Sequence, residues 1–219
     1  MNVVEQFQIA LRRRRHRRSL DEALAALAGD RNGARHYARA AAAWGNPLFA
    51  PDLDYLLGVA TAATHTSGAI LECGSGLTTL VLATIAPGRV VSLEHNVVWL
   101  WQMRLELRRL GLRRSVRLLH APLEEHEGFR WYRRPAGTDR FDMVVCDGPP
   151  AHRASRYGLL PVMRDRLNEG ALILLDDVAR TDEAEIVRRW QVDFPGVALE
   201  PSPARYARVR YGRSQGDAS

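Results

Sequence analysis

Five short apolar segments, each followed by a stretch with helical spacing, constrain the fold of this chain more than any other feature. The segments are residues 69–72, 90–94, 116–119, 141–146 and 171–175. Parallel strands buried on both faces read as continuous apolar runs, and helices form the crossovers between them. The pattern therefore predicts an α/β fold with a Rossmann-like, doubly wound, mostly parallel sheet and helices on both faces.

The flanking segments complete this architecture. The N-terminal segment has leucines and alanines at helical spacing, with Ser19 as a candidate N-cap, and we expect it to act as a lid, a dimer contact or both. Near the C-terminus, residues 197–200 and 206–211 flank a proline-rich turn and predict a closing hairpin. The expected organisation is a helical segment, a main domain and a disordered tail, over residues 1–62, 63–212 and 213–219.

Basic charge is concentrated near the N-terminus. All 31 basic residues are arginine, and residues 1–40 hold nine of them against four acids. The run Arg12–Arg18 could contact nucleic acid, anionic lipid or an acidic partner, but a solvated helix face is the favoured interpretation. The rest of the chain is close to neutral, which argues against a broad phosphate-binding surface.

Cysteine usage and hydropathy exclude several classes of protein. Cys73 and Cys146 lie in apolar runs without the spacing of a zinc site or a disulfide framework. No apolar stretch approaches the ~20 residues that span a bilayer, and no signal peptide is recognisable. We therefore expect a cytoplasmic protein.

Acidic residues stand at the carboxyl ends of four of the five predicted strands. In a doubly wound sheet, ligands bind outside these ends, where the strand order reverses. Folding requires no acid at these positions, so we expect a functional cluster on one rim of the sheet. Its members are Glu72, Glu94, Asp147, Asp176 and Asp177.

A glycine-rich turn follows the first strand. In Gly74-Ser75-Gly76, the glycines allow close approach of a ligand, and the helix that follows offers free N–H groups. Thr79 stands where a dinucleotide motif has its third glycine, and the lysine of a phosphate-binding P-loop is absent. Glu94 lies twenty residues after Gly74 at the end of the next strand, where it could accept hydrogen bonds from both hydroxyls of a ribose.

These residues carry a family resemblance. Two stretches resemble the first two motifs of class I S-adenosylmethionine-dependent methyltransferases: ILECGSGLTTLVLA and VVSLEHNVVW. Two more resemble the fourth and fifth strands of small-molecule O-methyltransferases of this class, catechol-type or sugar-modifying: FDMVVCDGPP and GALILLDDVAR. The resemblance implies a seven-stranded sheet and methyl transfer from S-adenosylmethionine to an oxygen of a small molecule or sugar.

The resemblance also implies roles for individual residues. Glu94 would hold the ribose, and His95 would lie near the adenine. The methionine end of the cofactor would be lined by Glu72, Gly74, Ser75 and Gly76. In catechol-type enzymes, the acids that end the fourth and fifth strands hold Mg²⁺, which implies a magnesium site at Asp147, Asp176 and Asp177.

Two departures from the catechol-type pattern leave this metal site open. Asp177 stands where that family has asparagine, and Pro150 stands where it has a lysine that acts as general base. His152 could take the proton instead, so the candidate catalytic residues are Asp147 and His152. Alternatively, Asp176 and Asp177 cap the following helix and Asp147 holds a loop or the cofactor amine.

The acceptor is also open, and the sequence places its pocket in residues 37–66 and 121–138. Arg153 or Arg156, together with Arg180, could pair with an anionic group of the acceptor, or these arginines could be solvated. We expect a small-molecule or sugar acceptor and a homodimer, without a membrane span; nucleic acid is not favoured. The alternatives are an RNA or protein methyltransferase that uses the basic arm, an inactive cofactor-binding assembly module, and an aminopropyl transferase.

Overall fold

The computed structural model describes residues 3–46, 50–150, 155–202 and 205–212, with side chains described from Arg15 onward. The predicted tail, residues 213–219, lies outside this part of the chain. Within it, no helix has both the length and the apolar character needed to cross a membrane. The expected boundaries between the N-terminal segment and the main domain stay predictions.

Three helices precede the sheet: α1 (Val3–Gly29), α2 (Ala34–Ala43) and α3 (Leu53–His65). Helix α1 runs straight through Ser19, so the predicted N-cap at that residue is wrong. Arginine is a good helix former, and the basic run therefore continues the helix instead of preceding it. Helix α1 packs against α2 and buries Leu20, Leu24 and Leu27, which confirms the predicted apolar face.

Strands and helices then alternate along the chain. They are β1 (Ile70–Cys73), α4 (Leu77–Ile85), β2 (Val90–Glu94), α5 (Val97–Arg109), β3 (Val116–His120), β4 (Leu123–His126), β5 (Phe129–Tyr132), β6 (Phe141–Cys146), α6 (Leu159–Met163), β7 (Leu167–Leu175), α7 (Thr181–Asp193), β8 (Ala198–Glu200) and β9 (Ala207–Arg210). All five predicted central strands are present, and β8 and β9 form the predicted closing hairpin.

Seven strands form one sheet in the order β3-β2-β1-β6-β7-β9-β8. The first five are parallel, and β9 runs antiparallel to β7. This confirms the predicted doubly wound, seven-stranded fold. The chain leaves β1 toward β2 and β3 on one side and returns to β6 and β7 on the other, so the strand order reverses between β1 and β6. Cys73, at the end of β1, lies directly beside Cys146, at the end of β6, in the parallel register of these two strands.

Apolar side chains fill both faces of the sheet. One face packs against α1 to α5 and the other against α6, α7 and the β4–β5 hairpin. Alternate residues of each strand supply the two layers; Ile70 faces the first and Leu71 the second, and both are fully buried. Burial of such a side chain is worth about 1.5–3 kcal/mol, so these layers hold the strand ends in place.

Two segments differ from the prediction. The hairpin of β4 and β5 lies within residues 121–138, where the sequence predicts part of the acceptor pocket and no strand. Its Trp131 is fully buried against Gly158, where a Cβ would lie 2.7 Å from the tryptophan. The sequence pattern of residues 156–167 is helical, but these residues do not form one continuous helix. Instead, two 3₁₀ turns flank the short α6, and β7 already begins at Leu167.

Candidate functional site

The glycine turn after β1 packs directly on the chain that leaves β6. Gly74 has φ +94°, and a Cβ there would lie 3.0 Å from the backbone nitrogen of Gly148. The carbonyl of Cys73 accepts hydrogen bonds from the backbone N–H groups of Asp147 (3.1 Å) and Gly148 (2.7 Å). The ends of β1 and β6 therefore meet backbone to backbone at the point where the strand order reverses.

Glu72 lies beneath this turn. Its side chain is fully buried, and its two carboxylate oxygens accept hydrogen bonds from the hydroxyls of Thr78 (2.6 Å) and Thr79 (2.7 Å). Burial raises the pKa of Glu72 to about 7. The Thr79 hydroxyl also accepts from the backbone N–H of Gly76 at 2.8 Å. The threonine found in place of a third glycine thus links β1 to the start of α4.

Glu94 joins the end of β2 to the glycine turn. Only 4% of the residue is exposed, and one carboxylate oxygen accepts from the backbone N–H (3.2 Å) and the hydroxyl (2.8 Å) of Ser75. The other oxygen accepts from the backbone N–H of Asn96 at 2.8 Å. Burial alone would raise the pKa of Glu94, but hydrogen bonds from His95, Asn96 and Ser75 hold it below its usual value. The carboxylate is therefore ionised at neutral pH.

The residues after Glu94 close this side of the site. His95 Nδ1 lies 3.3 Å from a carboxylate oxygen of Glu94, and its side chain is largely buried. Trp99 in α5 donates from its indole N–H to the carbonyl of Ser75 at 2.8 Å. The sequence offered Trp99 as a second candidate near the adenine, after His95, and favoured a place in the helix interior.

Three acids converge at the ends of β6 and β7. Asp147, Asp176 and Asp177 each place one carboxylate oxygen within 4.8 Å of the other two. Burial raises the pKa values of Asp147 and Asp176, and repulsion between neighbouring carboxylates adds to this effect. Asp177 adopts φ +64°, and its backbone N–H donates to the Asp176 carboxylate at 2.8 Å.

The alternative role of this pair as a helix cap is wrong. Helix α7 begins at Thr181, and its N-cap residue is Arg180, without a hydrogen bond from a side chain. Asp176 and Asp177 therefore lie before the helix and turn toward Asp147. His152, the candidate proton acceptor, lies outside the described residues.

Arg156 occupies the centre of the acidic cluster. Its side chain is 5% exposed and donates to the backbone carbonyls of Asp147 (2.6 Å) and Asp176 (2.9 Å) and to a carboxylate oxygen of Asp177 (3.1 Å). A further contact of 3.3 Å reaches the Asp147 carboxylate. The solvated alternative is therefore wrong for Arg156, and its pairing with an anionic acceptor stays a prediction. Arg180, whose side chain is 65% exposed, pairs with Asp177 from the solvent side at 3.0 Å.

The donor set of this cluster suits a hard cation, since Mg²⁺ prefers oxygen ligands from carboxylates on a rigid frame. Arg156 supplies one positive charge to the same acids. Among the described residues, the hydrogen bonds of the cluster reach one carboxylate oxygen of each acid and leave the other oxygen without a donor. The residues present are compatible with the predicted magnesium site, which stays a prediction.

Comparison with known proteins agrees with this geometry. Residues 71–178 match a family model described as a methyltransferase domain. No match is found among curated proteins.

Several solved structures have a similar fold. An O-methyltransferase from Bacillus cereus, in complex with SAH, is 17% identical with a TM-score of 0.53, over 81% of this chain and 90% of that one. Cofactor-bound Rv0187 from MTB is 20% identical with a TM-score of 0.54, over 82% and 89%. The O-methyltransferase TomG from Streptomyces achromogenes, in complex with SAM, is 18% identical with a TM-score of 0.50, over 73% and 79%.

The chain thus has the class I methyltransferase fold. The match of residues 71–178 to a methyltransferase-domain model agrees with the class of enzyme that the sequence motifs indicated.

Proposed function

We propose that this chain transfers a methyl group from S-adenosylmethionine to an oxygen of a small molecule or sugar. The observation that carries the proposal is Glu94, an ionised and nearly buried carboxylate that joins the end of β2 to the glycine turn. Burial of a charged group is costly unless hydrogen bonds stabilise it. The Glu94 carboxylate has such bonds and lies at the end of β2, where a ribose would lie beside the glycines. The cofactors bound by the similar O-methyltransferases support the same ligand.

The cofactor would lie across the glycine turn. The turn Gly74-Ser75-Gly76 would pass close to the methionine portion, with Glu72 beneath it and His95 near the adenine. The Ser75 hydroxyl, 2.8 Å from Glu94, takes a position on the carboxylate that a ribose hydroxyl would occupy. Binding would then exchange one hydroxyl donor for another without unpairing the carboxylate, which keeps the cost of binding low.

Methyl transfer needs little chemistry from the protein, because the sulfonium is already a reactive electrophile. The main contribution would be to hold the acceptor oxygen in line with the methyl group. Asp147 lies at the switch point beside Gly148, where it could take the proton of the acceptor hydroxyl. The raised pKa of Asp147 suits a group that accepts a proton near neutral pH.

The experiment is calorimetric titration with S-adenosylhomocysteine of the wild type and of Glu94→Ala. We expect the affinity to fall at least about tenfold in the variant, about 1.4 kcal/mol, because the ribose loses a charged acceptor. The matched control is Glu125→Ala on β4, whose side chain is 74% exposed, and it should bind as the wild type does. Equal affinity of Glu94→Ala and wild type would remove Glu94 from the site.

Magnesium assistance is a second candidate, favoured by the cluster of Asp147, Asp176 and Asp177. A bound ion would orient an acceptor hydroxyl and lower its pKa. The test is titration of the wild type and of Asp176→Asn with Mg²⁺, monitored by heat of binding. Heat that is present in the wild type and absent in the variant supports the metal site, and its absence from both contradicts it.

A further inference from the structure

Helix α5 is apolar on two opposite faces. Its inner face buries Leu100, Met103 and Leu107 against the sheet. Its outer face carries four large apolar residues that we call the α5 stripe, exposed by 48%, 65%, 59% and 61%: Val97, Val98, Trp101 and Leu105. A surface helix normally presents polar residues outward, and an exposed apolar patch of this kind marks an interaction site.

The stripe is continuous along the helix. Val97, Trp101 and Leu105 follow the i, i+4, i+8 spacing, and Val98 lies three residues before Trp101. Residues at these spacings lie above one another on the same face. The exposed side chains therefore form a single ridge about two turns long, which a planar apolar medium could contact along its whole length.

Arginines border the ridge on the side of β3. Arg104, Arg108 and Arg113 line a groove of about 330 Å³ together with Trp101 and Leu105. The guanidinium carbon of Arg104 lies 5.6 Å from the centre of the Trp101 ring, and Arg104 also donates to the carbonyl of Leu118 in β3 at 3.2 Å. This border is both basic and partly fixed in position.

Helix α1 adds basic residues on the other side. His16 and Arg17 line a second, larger cavity of about 1100 Å³ that also reaches Leu105. The nearby acids Asp21 and Glu106 both bind Arg109, each at 2.6 Å, so that these three groups together contribute a single negative charge.

Within the described part of the chain, no acid pairs with the remaining arginines of this surface, Arg17, Arg108 and Arg113. The arginines outnumber the acids beside the apolar ridge, so this surface carries a net positive charge.

These properties select one kind of partner. A second copy of the chain would bring its own arginines against Arg104 and Arg108 and would be repelled. The phosphates of a nucleic acid would pair with the arginines, but a nucleic acid would not bury the aliphatic side chains of the stripe. An anionic lipid bilayer satisfies both, since phosphates meet the arginines while Trp and Leu enter the boundary between headgroups and acyl chains.

We propose that the α5 stripe and its bordering arginines dock on an anionic lipid surface. In this arrangement α5 lies parallel to the bilayer, with Trp101 and Leu105 as the deepest residues and Arg17, Arg108 and Arg113 at phosphate level. The proposal rests on neither the cofactor nor the acceptor.

The test is co-sedimentation of the full chain with vesicles of phosphatidylcholine alone and with vesicles that contain phosphatidylglycerol in equal part. We expect strong binding to the second kind only, weakened by salt. Leu105→Glu should reduce binding at least about tenfold, and so should the double variant Arg108→Glu, Arg113→Glu, because insertion and charge both contribute. Val98→Glu serves as a second apolar variant if Leu105→Glu does not fold.

The matched control is Val192→Glu on α7, exposed by 66% on the opposite face of the sheet, which should bind as the wild type does. The proposal is overturned if neither vesicle binds, if both bind equally, or if the stripe variants bind like wild type. It is also overturned if the wild type is a dimer that Leu105→Glu converts to monomer in sedimentation velocity, since a second copy would then cover the stripe.

Discussion

The buried guanidinium of Arg156 allows a quantitative test of the acidic cluster. Arg156→Met leaves a shorter, unbranched apolar side chain and removes the guanidinium and its charge. The variant loses two hydrogen bonds to the carbonyls of Asp147 and Asp176 and an ion pair with Asp177, all at 2.6–3.1 Å. It also leaves these acids without their buried counter-ion.

Removal of one partner from a buried charge pair costs about 3–5 kcal/mol, and we expect the variant to lose that much unfolding free energy. The measurement is urea unfolding followed by circular dichroism and tryptophan fluorescence. The matched control is Arg180→Met, which removes a partner of the same Asp177 from an exposed position and should cost at most about 1 kcal/mol.

Equal losses in the two variants, or a loss below about 1 kcal/mol for Arg156→Met, would refute the reasoning, because the guanidinium would then not be needed as a counter-ion. A second readout follows from the charge of the cluster. With Arg156 removed, Mg²⁺ should raise the unfolding midpoint of the variant more than that of the wild type, since a ligand of the folded state stabilises it.

Two further predictions concern the glycine turn. Folding raises the pKa of Glu72 from 4.5 to about 7, so this residue should cost the wild type up to about 3 kcal/mol of unfolding free energy as pH rises through that interval. Asp147 and Asp176, whose pKa values are also raised, should add to the loss. In urea unfolding between pH 4 and 8, Glu72→Gln should therefore show a smaller loss than the wild type. Gly74→Ala should cost about 1–3 kcal/mol more unfolding free energy than Gly88→Ala. Both glycines have positive φ, but only at Gly74 would the added Cβ lie 3.0 Å from the backbone of another segment. Equal costs would contradict the close approach of the two turns.

The central strands and their acidic ends could be predicted because both are local features. A buried parallel strand is an apolar run, and Glu94 and Asp147 follow such runs directly. The β4–β5 hairpin could not be predicted, since Leu123–His126 has two adjacent glutamates and no clean alternation of apolar and polar residues. Its stability comes from Trp131, which packs on a segment distant in sequence.

Arg156 was missed as a structural residue for a different reason. It is one of 31 basic residues, all arginine, and nothing in its neighbours distinguishes it from the solvated ones. Its burial depends on acids that end two different strands, which only the assembled sheet brings together. The link between Trp99 and Ser75 escaped for the same reason, because it joins the first turn of α5 to the turn after β1.

The contact of Gly74 with Gly148 fixes the distance between the turn after β1 and the turn after β6. No side chain lies between the turn after β1 and the turn after β6. Backbone atoms alone therefore set the distance between the glycine turn and the acids that follow β6. In the proposed site, changes in the surrounding loops would alter which acceptor can enter, while the distance between the cofactor turn and the acids at the end of β6 would stay the same.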